Sequence, residues 1–169
     1  MVLWQYRDLF CEGLLVTLQL TVLSFLFAML VGTVMAIFRI SPIAPLRAVG
    51  LIYVDIFRNV PLLSLIIVVV YALPDIGLMW SYNNSVIISM SLVGGAFICE
   101  SLRAGINSVP AGQIEAARSL GLGFTGTVRY VVLPQAFRSM VQPLVTTFIG
   151  IFLSYSLAGT VGVMDLTAT

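Results

Sequence analysis

The 169 residues contain no lysine and no histidine, so all eight basic side chains are arginines. A phosphate-cradling nucleotide loop of the Walker A type ends on a lysine, so this chain builds none. Histidine acid–base chemistry and histidine metal ligation are excluded with it. The groups left with chemical potential are two charge pairs, Asp55 with Arg58 and Glu100 with Arg103, and two cysteines. Residues three apart share one face of a helix, so each pair can close. An ion pair inside an apolar helix marks a solute or ion path. At the start of its apolar run, Asp55–Arg58 also suits an end-of-helix pair reaching the headgroups, which we take as the first reading. Cys11 and Cys99 lie far apart among apolar neighbours and read as packing residues, not as a disulfide or a metal pair. No catalytic residue, metal or resident cofactor is expected.

A longer pattern is Glu115–Pro134, EAARSLGLGFTGTVRYVVLP, a polar stretch between apolar runs. Glu115 is expected to open a short helix with Ile114, Ala117 and Gly121 on one face. Ala116 and Ala117 form helix readily and are small enough to let another surface approach. Gly121 can take the left-handed conformation that ends a helix. Leu133 leads into Pro134, which suits the first turn of the next helix because its missing N–H costs little there. Two roles fit: a docking loop, or an amphipathic hairpin lying on a membrane surface.

The elements that must hold these residues are membrane helices. Sixty per cent of the chain is hydrophobic and 9% charged, against about 25% charged in soluble domains. A net charge of +1 supplies no basic surface for nucleic acid. Roughly 20 apolar residues cross a bilayer. Spans are expected near 13–38, 48–73, 85–105 and 134–155, with the polar loop at 110–134. The first is too long for a signal peptide and follows Asp8 and Glu12, not a basic cluster. Trp4, Tyr6 and Phe10 suit an interfacial belt. Gly94, Gly95 and Ala96 leave a smooth patch for close helix packing. Pro143 is expected to bend the last span, and Ser156–Thr169 reads as the start of an outside loop. Arg39, Arg47, Arg58, Arg103, Arg118, Arg129 and Arg138 fall on or near the side of the polar loop, and Arg7 on the other. By the positive-inside bias the loop is cytoplasmic and the N terminus outside.

The spacing Glu115-Ala116-Ala117, Gly121, Val131, Leu133-Pro134 closely resembles the EAA loop of the permease subunits of ATP-binding-cassette importers. The match extends along the chain. Gly13–Thr21, Tyr53–Leu63, Glu100–Gln113 and Pro134–Arg138 are similar to the corresponding stretches of the polar amino-acid (glutamate/histidine-type) permeases. The resemblance implies a single transmembrane domain, an all-α membrane bundle of the type I importer (MetI-like) class. It implies as partners ATPase subunits that hold ATP and magnesium, a second permease subunit, identical or paralogous, and an extracytoplasmic solute-binding protein. It also implies a multi-pass place in the cytoplasmic membrane and a loop that passes ATPase motion to the transport path. Two departures stand out. The family commonly has a lysine where this chain reads Leu153-Ser154-Tyr155-Ser156, which weakens a glutamate assignment. Relatives also continue through a fifth span, so the chain is expected to be a fragment or a shortened relative. The rival classes are an ion-coupled secondary transporter or channel, disfavoured by the uncharged centres of the first, third and fourth spans, and a non-transporting membrane anchor.

Overall fold

A computed structural model describes residues 7–162, and among these every element is helical. The belt expected of Trp4, Tyr6 and Phe10 falls outside the described residues and side chains. Helix α1 runs Arg7–Ile40, α2 Ala44–Asn59, α3 Leu62–Ile67, α4 Tyr82–Asn107, α5 Ala111–Ser119, α6 Phe124–Thr127 and α7 Leu133–Ser154. Three helical stretches are long and apolar enough to cross a membrane, Cys11–Ile40, Tyr82–Asn107 and Phe124–Gly159.

The centre of the fold is the seam between α1 and α4. A Cβ placed on Gly32 would meet the Gly95 carbonyl oxygen at 2.7 Å, and one on Gly94 the Ala28 Cβ at 3.1 Å. Small residues bring the helices together where apolar burial between them gives no drive in lipid. The polar groups inside this seam are satisfied locally. Thr21 Oγ1 donates to the Thr17 carbonyl at 2.7 Å, and Ser91 Oγ to the Ile87 carbonyl at 2.6 Å and the Ser24 carbonyl at 3.3 Å. Ser24 therefore faces Ser91, Gly32 faces Gly95, and Arg39 faces Glu100, so α1 and α4 run in the same direction.

Two parallel spans require a return crossing between them, and α2 with α3 supplies it. The stretch expected as a span over 48–73 is not one straight helix: the chain breaks after Asn59 and turns by 103°. Pro61 forces Val60 out of the helical region, to φ −76° and ψ 127°. Beyond the break α3 widens into a π turn over Val68–Ala72, where the Leu73 N–H bonds the Val68 carbonyl at 3.0 Å. A second π turn, Val128–Val132, sits just ahead of Pro134. Both precede prolines, Pro74 and Pro134, whose rings would otherwise press on the carbonyl four residues back.

Pro134 does sit in the first turn of α7, as expected, but no loop separates α7 from what precedes it. Helix runs on from Phe124 through the π turn into α7, which contains Pro143 in its interior. Of the outside loop expected at Ser156–Thr169, residues 163–169 fall outside the described residues, and the described part is corrected. Tyr155–Val161 is a 3₁₀ helix, with Tyr155, Ala158 and Val161 buried in the main core beside Leu20 and Ala28. The fully buried Tyr155 hydroxyl donates to the Leu20 carbonyl at 2.9 Å and shares a 2.6 Å bond with Ser24 Oγ.

Candidate functional site: the Glu115–Pro134 hairpin and the chamber at Phe97

The polar stretch folds as a helical hairpin. Helix α5 starts one turn earlier than expected, at Ala111, so Glu115 lies inside it and is exposed. Its end is a Schellman motif: Gly121 N–H bonds the Arg118 carbonyl at 2.9 Å and Leu122 N–H the Ala117 carbonyl at 3.1 Å. Gly121 carries the required positive φ of 82°. Gly123 then precedes α6 with extended backbone.

The faces of this hairpin differ from the expectation at one residue. Ala117, read as a surface left free for a partner, is 4% exposed and lies under the chain's own fold. Ala116 and Glu115 face outward instead. The residues most projected at the tip are apolar, Leu120 at 83% and Phe124 at 79% exposed. Leu133 and Pro134 are exposed on the continuing helix. A small core of Val109, Ala136 and Met140, with Ile114 and Val132 against it, fixes the hairpin to the foot of α4 and α7.

The charge pairs rearrange as well. Asp55 and Arg58 do not close on each other: no ion pair of Asp55 is present among the described residues. The Arg58 guanidinium lies over the Phe97 ring, 5.5 Å from its centroid. Phe97 lies on α4 between Gly95 and Glu100, one turn short of the Arg39–Glu100 pair. Glu100 keeps the expected i,i+3 ion pair with Arg103, at 4.0 Å, and also pairs with Arg39 of α1, which sequence reasoning missed. The available signal was that Arg39 and Glu100 both close apolar runs on the same side. Of the cysteines, Cys99 is buried and Cys11 exposed, and both are free thiols.

Two cavities open around Phe97. One, of about 240 Å³, lies between α3, α4 and α7 and includes Leu62, Gly94, Thr146 and Ser154. The other, of about 250 Å³, is a half-open cleft lined by Val54, Asp55, Arg58, Asn59 and Phe97 itself. Hydroxyls and opposite charges thus gather around Phe97, where the return span is broken. Discontinuous helices with polar groups at such a break are how transporters build solute sites.

A bundle of spanning helices with a polar chamber at a broken span and a helical hairpin at one end defines a membrane permease. Residues 15–169 match the model of the binding-protein-dependent transport system inner membrane component, and the chain belongs to that family. It is 33% identical over 165 residues to a probable glutamine ABC transporter permease protein of Bacillus subtilis (strain 168), covering 98% of this chain and 76% of that one. It is 38% identical over 160 residues to a glutamate transport system permease protein of Corynebacterium efficiens, covering 88% and 70%. The crystal structure of an amino acid ABC transporter with histidines superposes with a TM-score of 0.93 at 32% identity, covering 99% of this chain and 78% of that one. An inward-facing methionine ABC transporter gives 0.75 at 25%, covering 97% and 79%. The chain is therefore a permease subunit of the type I fold, a transport component and not itself a catalyst.

Proposed function

We propose that this chain carries polar amino acids inward across the cytoplasmic membrane as one of a pair of permease subunits, fed by a solute-binding protein and driven by ATPase subunits. ATP and magnesium belong to the ATPase; this chain's residues line the path and transmit motion. The observation carrying the reading is the hairpin: a Schellman-ended helix that presents Leu120 and Phe124 outward and is locked to α4 and α7. An apolar tip held on a rigid helical arm suits a groove on a partner, and displacement of the arm reaches the chamber walls through α4 and α7. The glutamine and glutamate relatives and the chamber's hydroxyls and opposite charges support polar amino acids as cargo.

The arginine distribution supports a cytoplasmic hairpin and an N terminus outside. Single cysteines at Asn83 and Ser119, in a background lacking Cys11 and Cys99, test the orientation. Asn83→Cys should react with an impermeant reagent in intact cells and Ser119→Cys only after permeabilisation. The reverse pattern removes the hairpin from the ATPase side and ends the coupling reading.

A further inference from the structure

The feet of α4 and α7 meet at backbone distance. Gly105 of α4 has no side chain to hold them apart: a Cβ there would press on Met140 Cγ and stand 3.1 Å from the Ala136 carbonyl oxygen. At the rim of this contact Ser108 Oγ donates to Ser139 Oγ at 3.0 Å, and Ser139 Oγ to the Ala136 carbonyl at 2.8 Å. The Gly105 carbonyl lies 2.7 Å from Ser108 Oγ and 3.4 Å from Ser139 Oγ. It belongs to the last turn of α4, where helix carbonyls lack their usual partners, and its backbone bond, from the Ser108 N–H, is long at 3.3 Å. A serine inside a helix ordinarily bonds back onto its own helix. The Ser108–Ser139 bond instead joins two helices.

The surroundings differ on the two sides of this contact. Toward the hairpin, the chain leaves α4 at Ser108 and returns along Val128–Val132, and Ala136 and Met140 pack with Val109, Ile114 and Val132. In the other direction a cavity of about 240 Å³ lies between α3, α4 and α7, with Phe97 of α4 and Thr146 and Ser154 of α7 in its lining. Ser139 sits midway along the continuous helix from Phe124 to Ser154. We propose that the Gly105 contact is the pivot on which α7 rocks against α4, and that Ser108 and Ser139 are the positioning residues that keep it in place. The inference rests on the coupling role proposed for the hairpin: displacement of the arm in one sense carries Thr146 and Ser154 in the other. Two hydroxyl protons face three acceptors within 3.4 Å, so the serines can exchange partners as the crossing angle changes and still hold the helices together.

The test is a paired assay of uptake and ATP hydrolysis by the assembled importer, with its ATPase and binding protein, in vesicles supplied with radiolabelled glutamine or glutamate. Ser108→Ala with Ser139→Ala should keep ATPase association and solute-stimulated ATP turnover but lower the solute carried per ATP about fivefold. Ser139→Thr, which retains the hydroxyl, should hold the wild-type ratio. Ser108→Cys with Ser139→Cys, in a background lacking Cys11 and Cys99, should oxidise to a disulfide and keep most of its uptake, since a pivot turns without its two sides separating. A disulfide that stops uptake, with recovery on reduction, overturns the proposal, because the feet must then move apart. So does a cysteine pair that stays reduced under oxidant, or a double alanine variant with an unchanged ratio. Parallel loss of ATP turnover and uptake in that variant, with a lower melting temperature, shows a structural role and overturns it too. The importer reading is judged on wild type alone. If wild type neither hydrolyses ATP in response to loaded binding protein nor takes up solute, the importer reading fails, whatever the serines do.

Discussion

Arg39 and Glu100 join α1 to α4 by an ion pair whose guanidinium side chain is only 8% exposed. Gly50 of α2 lies against the Arg39 stem, where an added Cβ would come to 2.6 Å from Cγ. One arginine thus ties three helices at the end of the bundle nearest the hairpin.

Removing one member of such a pair leaves the other charge without compensation, at a cost of about 3–5 kcal/mol. Glu100→Ala should therefore lose most of its membrane abundance. Arg39→Met combined with Glu100→Met should recover part of it, because no lone charge remains. Quantified membrane fractions for the single and double variants give the coupling, and additive losses would mean that the pair is not an energetic unit.

Gly32 and Gly112 should respond in opposite ways to a side chain. Gly32→Val drives atoms into the Gly95 carbonyl and Ile98, both under 3 Å from the first added carbon. Forced overpacking costs about 1–3 kcal/mol, and thermal unfolding in detergent should register it. Gly112→Ala meets nothing within 4 Å on an exposed helix turn, so it should be neutral or gain about 0.5–1 kcal/mol from helix propensity.

The hairpin residues should divide into those that shape it and those that touch a partner. Gly121→Val adds no clash but must hold a β-branched residue at φ 82°, which costs about 1–2 kcal/mol. With Ala117→Trp, which has no room in the hairpin's interior, it should misfold the arm. Leu120→Ala and Phe124→Ala leave the arm intact and remove its projecting apolar surface. All four should lose solute-stimulated ATP turnover in reconstituted vesicles. Protease resistance of the hairpin should fall only in the first two. Wild-type uptake by Leu120→Ala with Phe124→Ala would show that the tip is not the docking surface.

Tyr155→Phe removes the hydroxyl that closes the Leu20–Ser24 contact inside the core. Loss of a buried hydrogen bond, with partners left unpaired, costs about 1–3 kcal/mol. A lower melting temperature is expected, and adding Ser24→Ala should cost less in the Tyr155→Phe background than in wild type.

The spans and their close-packed patch were legible because apolar length and runs of small residues are local properties. Gly94 and Gly95 do lie in the α1–α4 seam, and Gly121 does take the left-handed turn. The break at Val60–Pro61 was not legible: proline is tolerated within membrane helices, and an apolar run keeps its hydropathy whether it continues or turns by 103°. Ala117 shows a related limit. Helical spacing groups residues on a face but does not say whether a partner or the chain itself covers it. Asp55 and Arg58 were correctly spaced to pair, and only the position of Phe97, supplied by a distant helix, shows why Arg58 turns elsewhere.

The Gly32–Gly95 contact leaves less space than a methyl group needs, so α1 and α4 cannot slide past one another without separating. In a cycling importer that pair would be the stator. On the coupling role proposed for the hairpin, the displacement that opens one side of the membrane and shuts the other would fall to the parts hung on it. The kink at Val60–Pro61 would then act as a crank between two short levers, α2 and α3, and the continuous helix from Phe124 to Ser154 would carry the stroke from the hairpin to the chamber's far wall.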